Sequence, residues 1–257
     1  MKDIFSVKNK IIVITGAGKG IGFLLANELS KRSAVIYAID KTFPKKNKTN
    51  NYFQKICDIT NKTRLENVCK NIFNNNKRID FLINNAGITL PNNSSRDYSL
   101  DNWKKTLDVN LTGSFVCAQV FGKIMKKQRS GSIINITSIN AELGFPNNPA
   151  YVASKGGLKM LTKSLAKDLG KYGIRVNNLG PGYFVTDMTK NSYKSKKSRI
   201  VRQKHTLLGR WGNISELVGP CIFLSSNASE YVTGQDLYVD GGWITNCLLY
   251  TSDAADE

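Results

Sequence analysis

The stretch Ile11-Ile12-Val13-Ile14-Thr15-Gly16-Ala17-Gly18-Lys19-Gly20-Ile21-Gly22 decides the fold. Its first five residues are apolar or β-branched and read as a buried strand. Glycines then recur at 16, 18, 20 and 22, and from residue 21 the apolar positions take up helical spacing. A strand that breaks into glycines and then into a helix opens a βαβ unit. Such glycines let the chain turn sharply, admit a pyrophosphate close to the backbone and aim the helix N-terminus at its charge. The spacing Gly-xxx-Gly-x-Gly departs from the common dinucleotide fingerprint, so the turn taken alone also suits an ordinary tight bend.

Working outward, further apolar runs at Ala34–Ile39, Ile79–Asn84, Ser132–Thr137 and Ile174–Asn178 alternate with helical patterns near 21–32, 63–75, 101–127, 152–171 and 215–225. This alternation predicts a single doubly wound α/β domain of the Rossmann type over residues 1–246, its central parallel sheet covered by helices on both faces. The polar stretches 41–51, 91–99 and 140–149 read as loops, and no repeat or linker interrupts the pattern. At 257 residues and 41% hydrophobic content the chain can bury one sizeable core. Its longest unbroken apolar run, Ala34 to Ile39, is far short of the ~20 residues a membrane span needs. The N-terminal run Ile11–Ile14 is too short for an export signal, and the expectation is a soluble cytoplasmic protein with no membrane partner. Residues 247–257, CLLYTSDAADE, resemble the translation of a sequencing adapter and are expected to be a non-native tail outside the domain.

The formal net charge of +18 raises the question of nucleic acid. Lysine supplies 28 of the 37 basic residues, and asparagine numbers 27, a joint bias that AT-rich codons produce without any partner. Arginine, suited to reading bases, supplies nine, and no nucleic-acid partner is expected. Five cysteines (57, 69, 117, 221 and 247) show no metal-ligand spacing and read as small buried hydrophobes. With one histidine, His205, no metal site is expected.

Two constellations carry chemistry. Asp40 closes the second strand, where a carboxylate accepts from the adenosine ribose hydroxyls and repels a 2′-phosphate, which favours NAD. Lys19, Lys41, Lys45, Lys46 and Lys48 point the other way and leave NADP possible; a solvated basic loop is their plain reading. Tyr151-Val152-Ala153-Ser154-Lys155 sets Tyr151 and Lys155 on one helix face, one turn apart. An ammonium beside a phenol favours the phenolate, and the spacing predicts a lowered Tyr151 pKa and an acid/base role. Ser138, at the end of the strand Ser132–Thr137, stands where its hydroxyl can hold a substrate oxygen.

Taken in order, these pieces resemble the classical short-chain dehydrogenases/reductases from Lys10 to Trp243. The matching residues are the TGAGKGIG turn, Asp58, Asn84-Asn85-Ala86-Gly87, Asn110 in DVNLTG, Ser138, Tyr151-xxx-Lys155, Pro181-Gly182 with Thr186, and Asp240-Gly241-Gly242. The resemblance implies a homotetrameric oxidoreductase that interconverts a secondary alcohol and a ketone by hydride transfer with NAD or NADP. It implies that Tyr151 moves the proton, that Lys155 holds the nicotinamide ribose, that Ser138 positions the substrate oxygen and that Asn110 supports a water-linked proton path. By the same resemblance Gly16, Gly18, Lys19, Gly20, Ile21 and Gly22 cradle the cofactor and Asp40 its ribose. Asp58 and Ile59 meet adenine; Asn85, Ala86, Gly87, Pro181, Gly182 and Phe184 line the site; Val185 and Thr186 receive the carboxamide.

Within the family, Gly182-Tyr183-Phe184 followed by Leu208-Gly209-Arg210-Trp211-Gly212 is most similar to gluconate 5-dehydrogenases, which implies a sugar acid or related polyol. The alternative is a 3-oxoacyl-[acyl-carrier-protein] reductase. Arg129 fits a carrier-binding position of that group, whereas Tyr172 and Asp40 do not. Seven basic residues lie between Lys190 and Lys204, and no acid appears from Thr189 through Ser215, which predicts an anionic small-molecule substrate. Asn84 and Asn85 have a competing role in pinning strands, Trp211 and Trp243 read as core or interface residues, and His205 as a lid-surface residue.

Overall fold

The computed structural model describes residues 3–47, 49–92 and 94–246. Residues 247–257, expected to be a non-native tail, lie outside the described residues, as does Cys247. Seven parallel strands form one sheet in the order β3-β2-β1-β4-β5-β6-β7. They are β1 (Ile11–Thr15), β2 (Val35–Asp40), β3 (Tyr52–Ile56), β4 (Phe81–Asn84), β5 (Gly131–Ile136), β6 (Ile174–Pro181) and β7 (Asp236–Val239). The order reverses between β1 and β4, which opens a crevice at the C-terminal strand ends, the place where doubly wound folds bind ligands.

The alternation of side chains along β1 explains its continuous apolar character. Ile11 and Val13 face a core built with α2 (Lys62–Asn76), α4 (Gly113–Gln128) and α5 (Pro149–Leu169). Ile12 and Ile14 face the opposite core, built with α1 (Gly20–Lys31) and α8 (Val218–Ser225). With helices on both sides, every position of the strand is buried. Cys57, Cys69, Cys117 and Cys221 are free and buried, and burial pushes each thiol pKa up. Among the described residues no helix is long and apolar enough to cross a membrane.

The structure departs from the pattern reading at the sheet edges and in the 101–127 segment. The edge strands β3 and β7 are half-exposed and of mixed polarity, so neither produces an apolar run. The single helix read over 101–127 is α3 (Leu100–Leu107), a π-helical turn at Asp108–Thr112, and α4. Two lid helices, α6 (Lys190–Lys194) and α7 (Lys196–His205), bury no residue and so carry no apolar periodicity.

A row of polar side chains crosses the sheet. In register, Asn84 stands beside Asn135, Asn135 beside Asn178, and Asn178 beside Asp236. Asn84 Nδ2 donates to Asn135 Oδ1 (2.9 Å), and Asn135 Nδ2 to the Thr162 hydroxyl of α5 (2.7 Å). Thr162 donates to Asn178 Oδ1 (2.6 Å), and Asn178 Nδ2 to Asp236 Oδ1 (2.7 Å). Thr162→Val keeps the shape but removes both hydroxyl bonds and strands two buried amide groups. It is expected to cost roughly 2–5 kcal/mol and to lower Tm by about 5–15 °C, read by thermal denaturation; an unchanged Tm would show that the row contributes nothing.

Candidate active site

The glycine turn is built for close approach. Gly16 has φ +64, and a Cβ there would stand 2.6 Å from Ala86 Cα. At Gly18 a Cβ would stand 2.3 Å from the Thr42 carbonyl oxygen and 2.9 Å from Asp40 Oδ2. The helix that follows starts at Gly20 with no side-chain cap and no acid in its first turn, and Lys19 beside it is exposed. Uncapped N–H groups and the positive helix end suit a pyrophosphate, so the residues present fit a dinucleotide. Asn85 holds the turn in place: its Nδ2 donates to the carbonyls of Thr15 (3.0 Å) and Gly16 (2.9 Å). Both Asn84 and Asn85 therefore tie strands together, as their competing reading had it. Gly22 is buried, and Ile21 packs on the α1 core.

Asp40 closes β2 as the sequence predicts, its Oδ2 accepting from Gly18 N at 2.8 Å and its Oδ1 from Lys41 N at 2.7 Å. The basic loop is placed differently from its simplest expectation. Lys41 Nζ pairs with Asp58 Oδ2 at 2.6 Å. Burial would raise the Asp58 carboxyl, but Lys41 and the bonds from Thr60 outweigh it and hold it below the ordinary carboxylate range. Ile59 beside it is buried at 5% exposure. A cavity of about 550 Å³ opens next to this pair, lined by Lys41, Asp58 and Thr60 and, from α3 and the π turn, by Lys104, Lys105 and Asp108.

The π turn points the Asn110 side chain inward, where it is fully buried. Its Oδ1 accepts from Ile88 N (2.8 Å), and its Nδ2 donates to Ile88 O and to the Ser154 hydroxyl, both at 3.0 Å. Gly87 lies between Asn110 and α5: a Cβ there would meet Asn110 Oδ1 at 3.4 Å and Lys155 Nζ at 3.7 Å. Lys155 is 3% exposed and donates to the Ile136 carbonyl at the end of β5 (2.7 Å). Burial brings its pKa down to about 8. Ser138, two residues past β5, is buried, and its Oγ accepts from Asn140 N at 3.2 Å.

Tyr151 departs from its predicted electrostatics. Burial raises its pKa; the Ser138 hydroxyl lowers it in part and Tyr183 raises it further. The expected lowering by Lys155 is not realised, because Lys155 Nζ lies 5.7 Å from the ring centre and is held by the Ile136 carbonyl. The four residues Asn110, Ser138, Tyr151 and Lys155 nevertheless gather around Gly87 and the end of β5.

Pro181 ends β6, and Gly182 passes so close to Asp240 that a Cβ would stand 2.6 Å from its Cα. Phe184, expected to line the cofactor, is 3% exposed with its ring turned inward against Gly212. Val185 is exposed, and the Thr186 hydroxyl lies 3.1 Å from that of Thr189. Sequence reasoning used Tyr183 only as part of a family-like stretch and gave it no role; its ring packs on Trp243 at 4.7 Å and Trp211 at 5.2 Å. His205, half-buried at the end of the lid helix α7, stacks on Trp243 at 4.8 Å and joins this aromatic cluster.

A family model described as enoyl-(acyl carrier protein) reductase matches residues 16–244. The chain is 36% identical over 252 residues to 5-keto-D-gluconate 5-reductase of Escherichia coli (strain K12), covering 95% of this chain and 99% of that protein. It is 35% identical over 243 residues to a 3-oxoacyl-[acyl-carrier-protein] reductase of Staphylococcus epidermidis, covering 91% and 98%. Among solved structures, a gluconate 5-dehydrogenase of Burkholderia cenocepacia in complex with NADP and tartrate aligns with a TM-score of 0.88 at 33% identity, covering 95% and 98%.

Gly18→Ala tests the turn. The added Cβ collides with Thr42 and Asp40, so affinity for NADH is expected to fall roughly ten-fold or more, about 1.4 kcal/mol, in a fluorescence titration. Unchanged affinity would mean that the turn does not receive the dinucleotide.

Proposed function

The chain belongs to the short-chain dehydrogenase/reductase family, and from that premise we propose that it interconverts a secondary alcohol and a ketone on a sugar acid, with Tyr151 as the proton-transfer group. The observation that carries the reading is Lys155, a buried ammonium that donates to the Ile136 carbonyl, on the helix of Tyr151 and across Gly87 from Asn110. A nicotinamide dinucleotide, when bound, supplies or accepts the hydride. The residues assigned to hold it are the turn from Gly16 to Gly22, Asp40, Asp58 with Ile59, Asn85 to Gly87, Pro181 with Gly182, and Val185 with Thr186. Lys155 is assigned to the nicotinamide ribose, and Phe184 only through its backbone.

Ser138 orients the substrate oxygen toward Tyr151. A phenol held above its ordinary pKa keeps its proton at neutral pH and is set to give it to a carbonyl oxygen. Lys155, at about 8, carries a proton it can pass on, and Asn110 holds the far side of that path. NAD is the favoured cofactor because Asp40 stands at the turn while Lys41 pairs with Asp58. An acidic substrate is supported by the lid, which has no acid from Thr189 through Ser215, and by relatives whose names denote gluconate chemistry. The 3-oxoacyl reductase reading is weaker, because Arg129 is directed to the Lys171 carbonyl and Tyr172 lies under Lys126. One domain over residues 1–246, a cytoplasmic location and a homotetramer complete the proposal. Exposed Phe115 on α4 and Met160 on α5 offer apolar contacts for assembly.

Tyr151→Phe is expected to lower kcat by ~10²–10⁴-fold and leave NADH binding within about threefold. More than a tenth of wild-type kcat would count decisively against the role. For wild type, kcat/KM in the reductive direction is expected to fall as pH rises through about 8, because a lysine of lowered pKa loses its proton there. Lys155→Met should remove that break from the pH profile. Asp40→Ala is expected to erode NAD preference over NADP by roughly ten-fold in kcat/KM ratios; a wild type that already prefers NADP would reverse the assignment.

A further inference from the structure

Two lid arginines lie over aromatic rings, Arg199 over Tyr193 at 5.5 Å and Arg202, closer, over Tyr183. Arg202, near the C-terminal end of α7, lays its guanidinium over the face of Tyr183, Cζ 4.7 Å from the ring centre. Among the described residues its buried Nε has no partner, and Nη1 makes a long bond to the Ser198 carbonyl at 3.4 Å. Among the described residues no carboxylate lies within ion-pair distance of it. Arg210 shows the contrast: Glu216 holds it at two points, 2.7 and 2.9 Å. Packing against an aromatic face occupies the plane of a guanidinium and leaves its N–H edge unused, and that edge matches a carboxylate at two points.

The position is equally specific. Tyr183 follows Pro181 and Gly182 at the C-terminal end of β6, beside the end of β5 that leads into Ser138. It stands near enough to Tyr151 for the charge of one phenol to act on the other. Tyr183 is itself held by Trp211 and Trp243, so Arg202 rests on a braced ring and not on a loose side chain.

We propose that Arg202 reads the charge of the substrate: its free guanidinium edge takes the carboxylate of a sugar acid whose reacting carbon lies at Tyr151, and so sets a preference for acids over neutral polyols. This inference rests on Tyr151 as the reacting centre. The exposed lid lysines raise the local anion concentration without choosing an orientation, whereas Arg202, on a ring that starts from the end of β6, holds the acid end in one place relative to the proton donor.

The test titrates the full chain, with saturating NADH so that neither alcohol is oxidised, against D-gluconate and against neutral D-glucitol, followed by calorimetry. Wild type is expected to bind gluconate at least ten-fold more tightly. Arg202→Met should weaken gluconate ten-fold or more and move glucitol by less than two-fold. Arg202→Lys, which keeps the charge but not the two-point geometry, should lose several-fold for gluconate alone and serves if the methionine variant fails to fold. Lys197→Met, which removes one exposed lid charge, should change neither by more than two-fold. The inference is overturned by a wild type without preference for gluconate, by equal losses for both ligands, or by a Lys197→Met loss matching that of Arg202→Met. Turnover is measured separately: binding preference intact with no oxidation of gluconate would defeat the reaction assignment and leave Arg202 as the reader of the anion.

Discussion

One row of side chains in register, Asn84, Asn135, Asn178 and Asp236, with Thr162 of α5 bonded into its middle, underlies the rest of the molecule. Its members are amides, a hydroxyl and a carboxylate, most of them fully buried, and each donor finds an acceptor in the next. Such a chain tolerates no slip, since a shift of one residue would turn every member to the other face of the sheet. Thr162 ties α5 down, and with it Tyr151 and Lys155. Asn84 also donates to the Ser114 carbonyl at the start of α4, directly after the π turn that carries Asn110. Ser138 follows the strand that carries Asn135. All four residues of the candidate centre are thus positioned from a single polar row.

Electrostatics divides the molecule by depth. At the surface the excess of lysine is solvated, and single pairs contribute little. Inside, burial dominates: it lowers the Lys155 pKa to about 8 and raises that of Tyr151, so the centre rests with a protonated phenol beside an ammonium that gives up its proton readily. The carbonyl of Ile136 is what keeps Lys155 in that position. At the glycine-turn end Lys41, whose side chain is largely exposed, pairs with Asp58, and Asp40 accepts from the Gly18 N–H of the turn.

The lid joins this frame through aromatic rings. Helices α6 and α7 bury no residue of their own, so their attachment depends on Tyr183, Trp211, Trp243 and His205. A segment with little buried apolar surface opens at low cost and closes on what its charges attract. The family supplies the hydride chemistry of the core, and the lid of this chain adds seven cations between Lys190 and Lys204 with no acid from Thr189 through Ser215.

Much was legible in the sequence because it depends on local order. The glycine turn after Ile11–Thr15, the carboxylate closing β2 and the one-turn spacing of Tyr151 and Lys155 are set by neighbours a few residues away, and periodicity reveals them. The half-exposed edge strands β3 and β7 gave no apolar run, and the π turn at Asp108–Thr112 interrupts what reads as one helix. Other features arise only when distant segments meet. The choice of Asp58 by Lys41, the capture of Lys155 by a strand carbonyl and the rise in the Tyr151 pKa each join residues from separate elements. So does the lodging of Arg202 on Tyr183, with no acid in ion-pair reach among the described residues. No local pattern encodes such pairings, because hydrogen bonds and burial depend on which groups the chain topology brings within a few ångströms, and only the tertiary structure decides that.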